Sequence, residues 1–343
     1  KASPKGPRMP FVSDIVGPQR PVTGWPLLEP GTIRRTSTID THPDGPGRFH
    51  ADLRARDVRI EPDGSVEVVD DVVVRAQLSA GVINDISGDD DRLGQLRGSR
   101  VGSGFRATIT KLLGSDVERA TPLHLLLDDW VGASLVSGYG TLHAAIIDGT
   151  EQPMADVVAD HLAGICSGFA PDAAVVDFTR RNLLMPCARG PLAPALIDPA
   201  ADALHPTEPL RAHGMRRMRR LDLHPHDTAS VAFDAHFRDS HVDGSEVETI
   251  VHEYSVTGRV ELATRTIGEV HAVARVLPWQ ECPGALGSAG RVNGMTVGEL
   301  RNRIRTEFVG ISTCTHLNDT LRSLGDLDAL LDLGERRTSA ARA

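Results

Sequence analysis

The sequence predicts an α+β protein, an antiparallel β-sheet meander with helices packed on one face and a helical insert. Three observations carry this. FHADLRARDVRI and SVEVVDDVVVRAQL alternate on either side of the turn signal EPDG at 61–64, which makes a hairpin. SVAFDAHFRDSHV, Asp243-Gly244, SEVETIVHEYSVTGRVEL and TIGEVHAVARVLP read as two long strands around a turn followed by a third. Between these regions VGSGFRATITKLL and PLHLLLDDWVGASLVSGYGTLHAAI change to a helical period.

Residues 1–31 hold seven prolines and little periodicity, so they form an irregular N-terminal arm on which no chemistry is expected. Residues 32–343 read as a single α+β domain, with the helical insert at about 85–185 and a Pro-rich linker at 186–209. Glycines 132, 138 and 140 should weaken or kink the second helix. After the loop WQECPGALGSAGRVNG, Thr296 and Glu299 form a capping box, and Val297, Leu300, Ile304 and Phe308 share one helix face. A final helix should begin near Thr315 and run through Leu317, Leu321 and Leu324 toward Leu333.

Composition narrows the class of function. The chain has 343 residues, enough for a core with an enclosed cavity, and an aromatic fraction of only 4%, so Val, Leu, Ile and Ala must fill that core. Net charge is −9 and lysine occurs only at Lys1, Lys5 and Lys111, which argues against nucleic acid as a partner. No apolar run approaches the ~18 residues of a membrane span, and the N-terminus lacks a signal-peptide core, so the expected location is the cytoplasm. Cys166, Cys187, Cys282 and Cys314 are scattered without a CxxC pair and read as free thiols. Dinucleotide, P-loop, zincin and α/β-hydrolase motifs are all missing.

The candidate site rests on strand register. If Asp243 and Gly244 are the central residues of a two-residue turn, Val242 faces Ser245, Asp239 faces Glu248, Phe237 faces Ile250, Ala235 faces His252 and Phe233 faces Tyr254. The last four pairs, with His241 and Glu246, then share one face, apolar in its middle and ionic at its tip; Asp234, His236, Arg238 and Glu253 take the other. His252 becomes a pocket floor, with Tyr254 beside it. The plainer alternative is a core histidine bonded to a backbone carbonyl. The second constellation, Cys314-Thr315-His316-Leu317-Asn318-Asp319, opens the last helix, where unpaired N–H groups favour anions and thiolates. The third is the corner Pro278-Trp279-Gln280-Glu281-Cys282-Pro283, whose tryptophan offers a flat wall. Arg216-Arg217-Met218-Arg219-Arg220 reads as a solvated face before a strand, or as partners for the acidic excess.

From Arg259 onward the order of meander strand, Leu-Pro-Trp-Gln-Glu-Cys-Pro-Gly-Ala, helix and Cys-Thr-His-Leu resembles the bacterial family known as domain of unknown function 2889. The likeness covers mainly 250–330. His252-Glu253 is similar to that family's His-Asp pair, Cys282-Pro283 to its Cys-Pro corner, and Cys314-Thr315-His316-Leu317 to its most recognisable motif. A weaker likeness lies from Ile33-Arg34-Arg35 to Leu53. The long insert and HFRDSH depart from the short form, and the resemblance implies no activity.

The leading expectation is an enzyme of hydratase, dehydratase or isomerase type, acting by acid–base chemistry on a small, mostly apolar carbonyl or hydroxyl compound without an organic cofactor. His252 would be the base, Tyr254 a donor to the substrate oxygen, His316 the second acid–base group, and Asp239 or Asp319 an orienting carboxylate. Phe233, Phe237, Ile250, Trp279 and Cys314 would line the substrate site. One alternative is a ligand-binding or assembly protein, with a homo-oligomer allowed and the histidines purely structural. The other is a mononuclear metal enzyme using His252, His316 and a carboxylate, a donor set that suits zinc or iron.

Overall fold

The computed structural model describes residues 16–147, 160–181, 183, 189–196, 203–225 and 229–340. Residues 1–15 of the predicted N-terminal arm, Cys187, His226 and parts of the Pro-rich linker lie outside them. In chain order the elements are β1 (Ile33–Pro43), β2 (Arg48–Ile60), β3 (Val66–Ser79), β4 (Val82–Gly88), α1 (Phe105–Leu112), α2 (Gly114–Glu118), α3 (Pro122–Ile147) and α4 (Ala174–Arg180). Then follow β5 (Met215–Leu223), β6 (Ser230–Val242), β7 (Glu248–Glu261), β8 (Thr266–Val276), α5 (Leu300–Glu307), α6 (Thr315–Ser323) and α7 (Leu327–Ala340). The strands make one eight-stranded sheet in the order β4-β3-β2-β1-β5-β6-β7-β8. Every neighbouring pair is antiparallel.

Both hairpin regions and the meander form where alternation places them. The central strands β1 and β5 do not alternate, because they are buried on both faces and polar on both. The arginine run is therefore inside a strand rather than before one, and it is not solvated. Arg216 pairs with Asp40, Arg217 and Arg219 with Asp129, and Arg220 with Asp222 and Asp234. A buried charge without such a partner would cost several kcal/mol.

The two sheet faces are covered differently. Helices and helical turns pack on one, in two apolar clusters: Leu53, Val74, Leu127 and Trp130 belong to the first, and Phe233, Phe237, Tyr254, Leu317 and Leu321 to the second. Asp128 of α3 joins them by pairing with Arg322 of α6. Irregular chain covers the opposite face. Trp25 Nε1 donates to His236 Nδ1 at 3.3 Å and the backbone N–H of Val22 donates to Glu253 at 2.9 Å. His205 stands between the hydroxyls of Thr36 and Thr38, 2.9 and 2.8 Å from its two ring nitrogens. This pins the described end of the linker to the sheet.

Two local expectations change. α3 runs unbroken through Gly132, so this glycine relieves crowding instead of kinking the helix: a β-carbon there would overlap Arg217 Nη1 and Asp319 Oδ2. The last helix is interrupted at Leu324–Asp326, where Gly325 packs against Arg301 and Asp326 pairs with Arg35 and Arg301. The capping box at Thr296 and Glu299 forms as read, and Val297, Leu300, Ile304 and Phe308 are all buried.

Candidate functional site

The β6–β7 turn is longer than Asp-Gly alone. The Asp243 side chain accepts from the backbone N–H groups of Ser245 and Val247, at 2.8 and 3.1 Å, and Val242 faces Glu248 rather than Ser245. A bulge follows: Ser240 faces Ile250, Asp239 faces His252, and Val251 is the extra residue. The four-residue slip preserves the faces of His252 and Tyr254 but changes their partners, so His252 meets Asp239 instead of Ala235 and Tyr254 meets Phe237 instead of Phe233. The bulge sends Ile250 to the face of Ser240 and Glu248, away from His252. Its expected place in the pocket is not realised.

α6 brings the third group. Its first turn carries His316, whose ring stacks on His252 with centroids 3.5 Å apart and planes 18° from parallel. Both rings address one oxygen: His252 Nδ1 lies 3.7 Å and His316 Nε2 3.9 Å from Asp239 Oδ2. These separations exceed a hydrogen bond, and His252 Nδ1 is buried without a hydrogen-bond partner. The ligand atoms of Asp239, His252 and His316 all lie within 4.8 Å of one another. The side chains of Asp239, His252 and His316 keep 1%, 12% and 19% of their exposure, so the two imidazoles are partly exposed while the carboxylate and His252 Nδ1 are buried. On the far side of His316, Nδ1 lies 3.4 Å from Thr315 Oγ1 and 3.9 Å from Cys314 Sγ. A hydrogen on Nδ1 serves these acceptors and leaves the Nε2 lone pair toward Asp239.

Asp239 is held rigidly. Arg217 donates to both of its oxygens, at 2.9 and 3.0 Å, and reaches Asp129 and Asp319 with Nη1, each at 3.1 Å. Arg219 in turn grips both oxygens of Asp129, at 2.6 and 2.7 Å. Burial by itself would raise the Asp239 carboxyl, but the Arg217 charge overcomes it and keeps the group well below the usual carboxylate range. Burial and the neighbouring His252 lower His316 well below its ordinary value. The Phe237 ring lies under both guanidiniums, 5.0 and 4.7 Å away, and 6.4 Å from the His316 ring.

The remaining candidates take supporting or distant positions. Tyr254 is fully buried and donates its hydroxyl to Cys314 Sγ at 3.4 Å. Cys314 is the N-cap of α6, yet burial raises its thiol, outweighing the pull of the helix end toward thiolate. Asp319 binds Arg217 and Arg106 rather than a histidine. Phe233 fills the space left by Gly258, and Trp279 packs by Gly168 in the core. Sequence reading missed Arg217, Arg219 and Asp129 as parts of the site. The signal was present, since adjacent aspartates in the otherwise apolar run LLLDDWV need cationic partners.

A family model described as protein of unknown function (DUF2889) matches residues 215–329, the C-terminal part of the chain. That span contains Arg217, Arg219, Asp239, His252 and His316, and leaves Asp129 outside. No curated protein and no solved structure matches the chain. Among the described residues no helix is long and apolar enough to cross a membrane.

Proposed function

We propose that this chain is an enzyme built around one divalent transition-metal ion bound by Asp239, His252 and His316, acting on a small carbonyl or hydroxyl compound. A single observation carries the reading: two ring nitrogens and a carboxylate oxygen converge from β6, β7 and α6 without hydrogen bonds among them. Electron-rich atoms facing one another at such range repel unless a cation lies between them. Imidazole and carboxylate suit zinc or iron, and three protein ligands leave coordination positions for water or substrate. The 3.7 and 3.9 Å separations exceed by a few tenths of an ångström the ~3.3 Å tetrahedral edge implied by bonds of about 2.0–2.1 Å, and an ion would also require the stacked imidazoles to rotate so that their lone pairs converge. A bound ion would polarise a substrate oxygen or acidify a water, which serves hydration, dehydration and isomerisation alike.

Elemental analysis of the purified chain tests this. About one equivalent of metal is expected, lost in His252→Ala and His316→Ala variants whose circular dichroism is unchanged. Wild type that stays metal-free after exposure to zinc, iron and cobalt would sink the reading.

One observation favours a second reading. Arg217 already occupies both oxygens of Asp239, an arrangement that suits a metal-free acid–base pair in which His252 and His316 exchange protons with the substrate. Turnover surviving exhaustive chelation would select it.

A further inference from the structure

We infer that the ligand taken up by this metal centre is an oxygen anion, of the class of 2-hydroxy or 2-oxo carboxylates; the inference deepens the metal reading and rests on it. The charges around Asp239 balance without an ion. Arg217 joins Asp239, Asp129 and Asp319; Arg219 joins Asp129; Arg106 joins Asp319 and Asp128; and Arg322 joins Asp128. Among the described residues this network closes on itself with four guanidiniums and four carboxylates. Its net charge is therefore zero before any ion binds.

In an ordinary site of two histidines and one carboxylate, the carboxylate offsets one charge of a divalent ion. Here Arg217 has already cancelled it. Metal-bound imidazoles are neutral, so the ion brings two uncompensated positive charges into a site where Asp239 is 1% exposed. Leaving such charge unpaired in a low-dielectric setting is costly, and among the described residues no further carboxylate or thiol joins the three ligands. The compensating charge comes from what occupies the open positions, a hydroxide formed from bound water or an anionic ligand that displaces it. A carboxylate supplies one negative charge, and an adjacent hydroxyl or carbonyl oxygen allows chelation at the positions the protein leaves open. The partial exposure of the His252 and His316 side chains, 12% and 19%, places the site near the surface, within reach of a small ligand.

The test uses the full chain loaded with cobalt(II), followed by visible absorption, and titrated with glycolate or with its neutral counterpart glycolamide. Glycolate is expected to shift the cobalt bands with a Kd at least about tenfold lower than that of glycolamide, a difference of about 1.4 kcal/mol. Asp319→Asn removes one negative charge without touching the ion, and should tighten glycolate severalfold while leaving glycolamide unchanged. Cobalt binding with equal affinity for the two probes overturns the inference alone, as does a folded Asp319→Asn variant with unaltered glycolate affinity. Failure to bind cobalt at all defeats the metal reading and this inference with it.

Discussion

Gly132 of α3 lies against the guanidinium of Arg217 in β5, with no room for a β-carbon between them. Arg217 cannot swing aside, because Asp239, Asp129 and Asp319 hold it from three directions. Gly132→Ala should therefore push α3 off the sheet or break the grip on Asp239, destabilising the fold by about 1–3 kcal/mol. Gly138, in the same helix, has nothing within 4 Å of a would-be β-carbon, and Gly138→Ala should stabilise by up to about 1 kcal/mol. Urea denaturation of the two variants checks the contrast, and equal midpoints would contradict it.

Arg217→Met leaves three buried or nearly buried aspartates without their shared cation. Stability should fall by ~3–5 kcal/mol. Adding Asp239→Asn to that variant should recover part of the loss, since Asp129 keeps Arg219 and Asp319 keeps Arg106 while Asp239 alone is left without a guanidinium. A double-mutant cycle reads the coupling, and strict additivity of the two changes would argue against a single network.

Stability should decline as pH falls below neutrality, through two histidines remote from the site. Burial lowers His205 from 6.5 to about 3 and His124 from 6.5 to about 4. Each stays neutral when folded while its unfolded counterpart takes up a proton near pH 6.5, so protonation favours the unfolded chain. Their contribution is complete above about pH 6.5 and is lost progressively toward pH 3–4. His205→Gln should flatten the slope between pH 6.5 and 5 by up to ~1.4 kcal/mol per pH unit, as read from denaturation midpoints across that range. An unchanged slope would show that His205 is protonated in the fold.

Cys166, Cys282 and Cys314 are buried, and burial raises all three thiols, Cys166 to about 11. Iodoacetamide at pH 8 should label them slowly in the native protein and rapidly in denaturant, because only the thiolate reacts. Peptide mass spectrometry resolves the three positions. Fast native labelling of Cys314 would mean that the helix end prevails over burial.

Much of the fold is legible in the sequence because its signals are local. Alternation gives β2, β3 and the β6–β8 meander, helical period gives α1 and α3, and the Thr296–Glu299 box marks a helix start. β1 and β5 escape such reading. Ile33-Arg34-Arg35-Thr36 and Met215-Arg216-Arg217-Met218 look like surface chain, and only partners from distant segments make them core strands.

The candidate site divides along the same line. By itself the sequence determined that His252 and Tyr254 share a sheet face with Asp239, since side chains alternate whatever the slip of the hairpin by an even number of residues. It also placed His316 at the first turn of a helix. Tertiary structure alone decided that His252 meets Asp239 rather than Ala235, that Ile250 turns away, and that His316 stacks on His252. A five-residue turn held by the Asp243 carboxylate, one bulged residue and the docking of α6 set those relations. The turn bonds reach only two and four residues along the chain, but the docking of α6 on β7 joins residues far apart in sequence, which no local pattern of residues encodes.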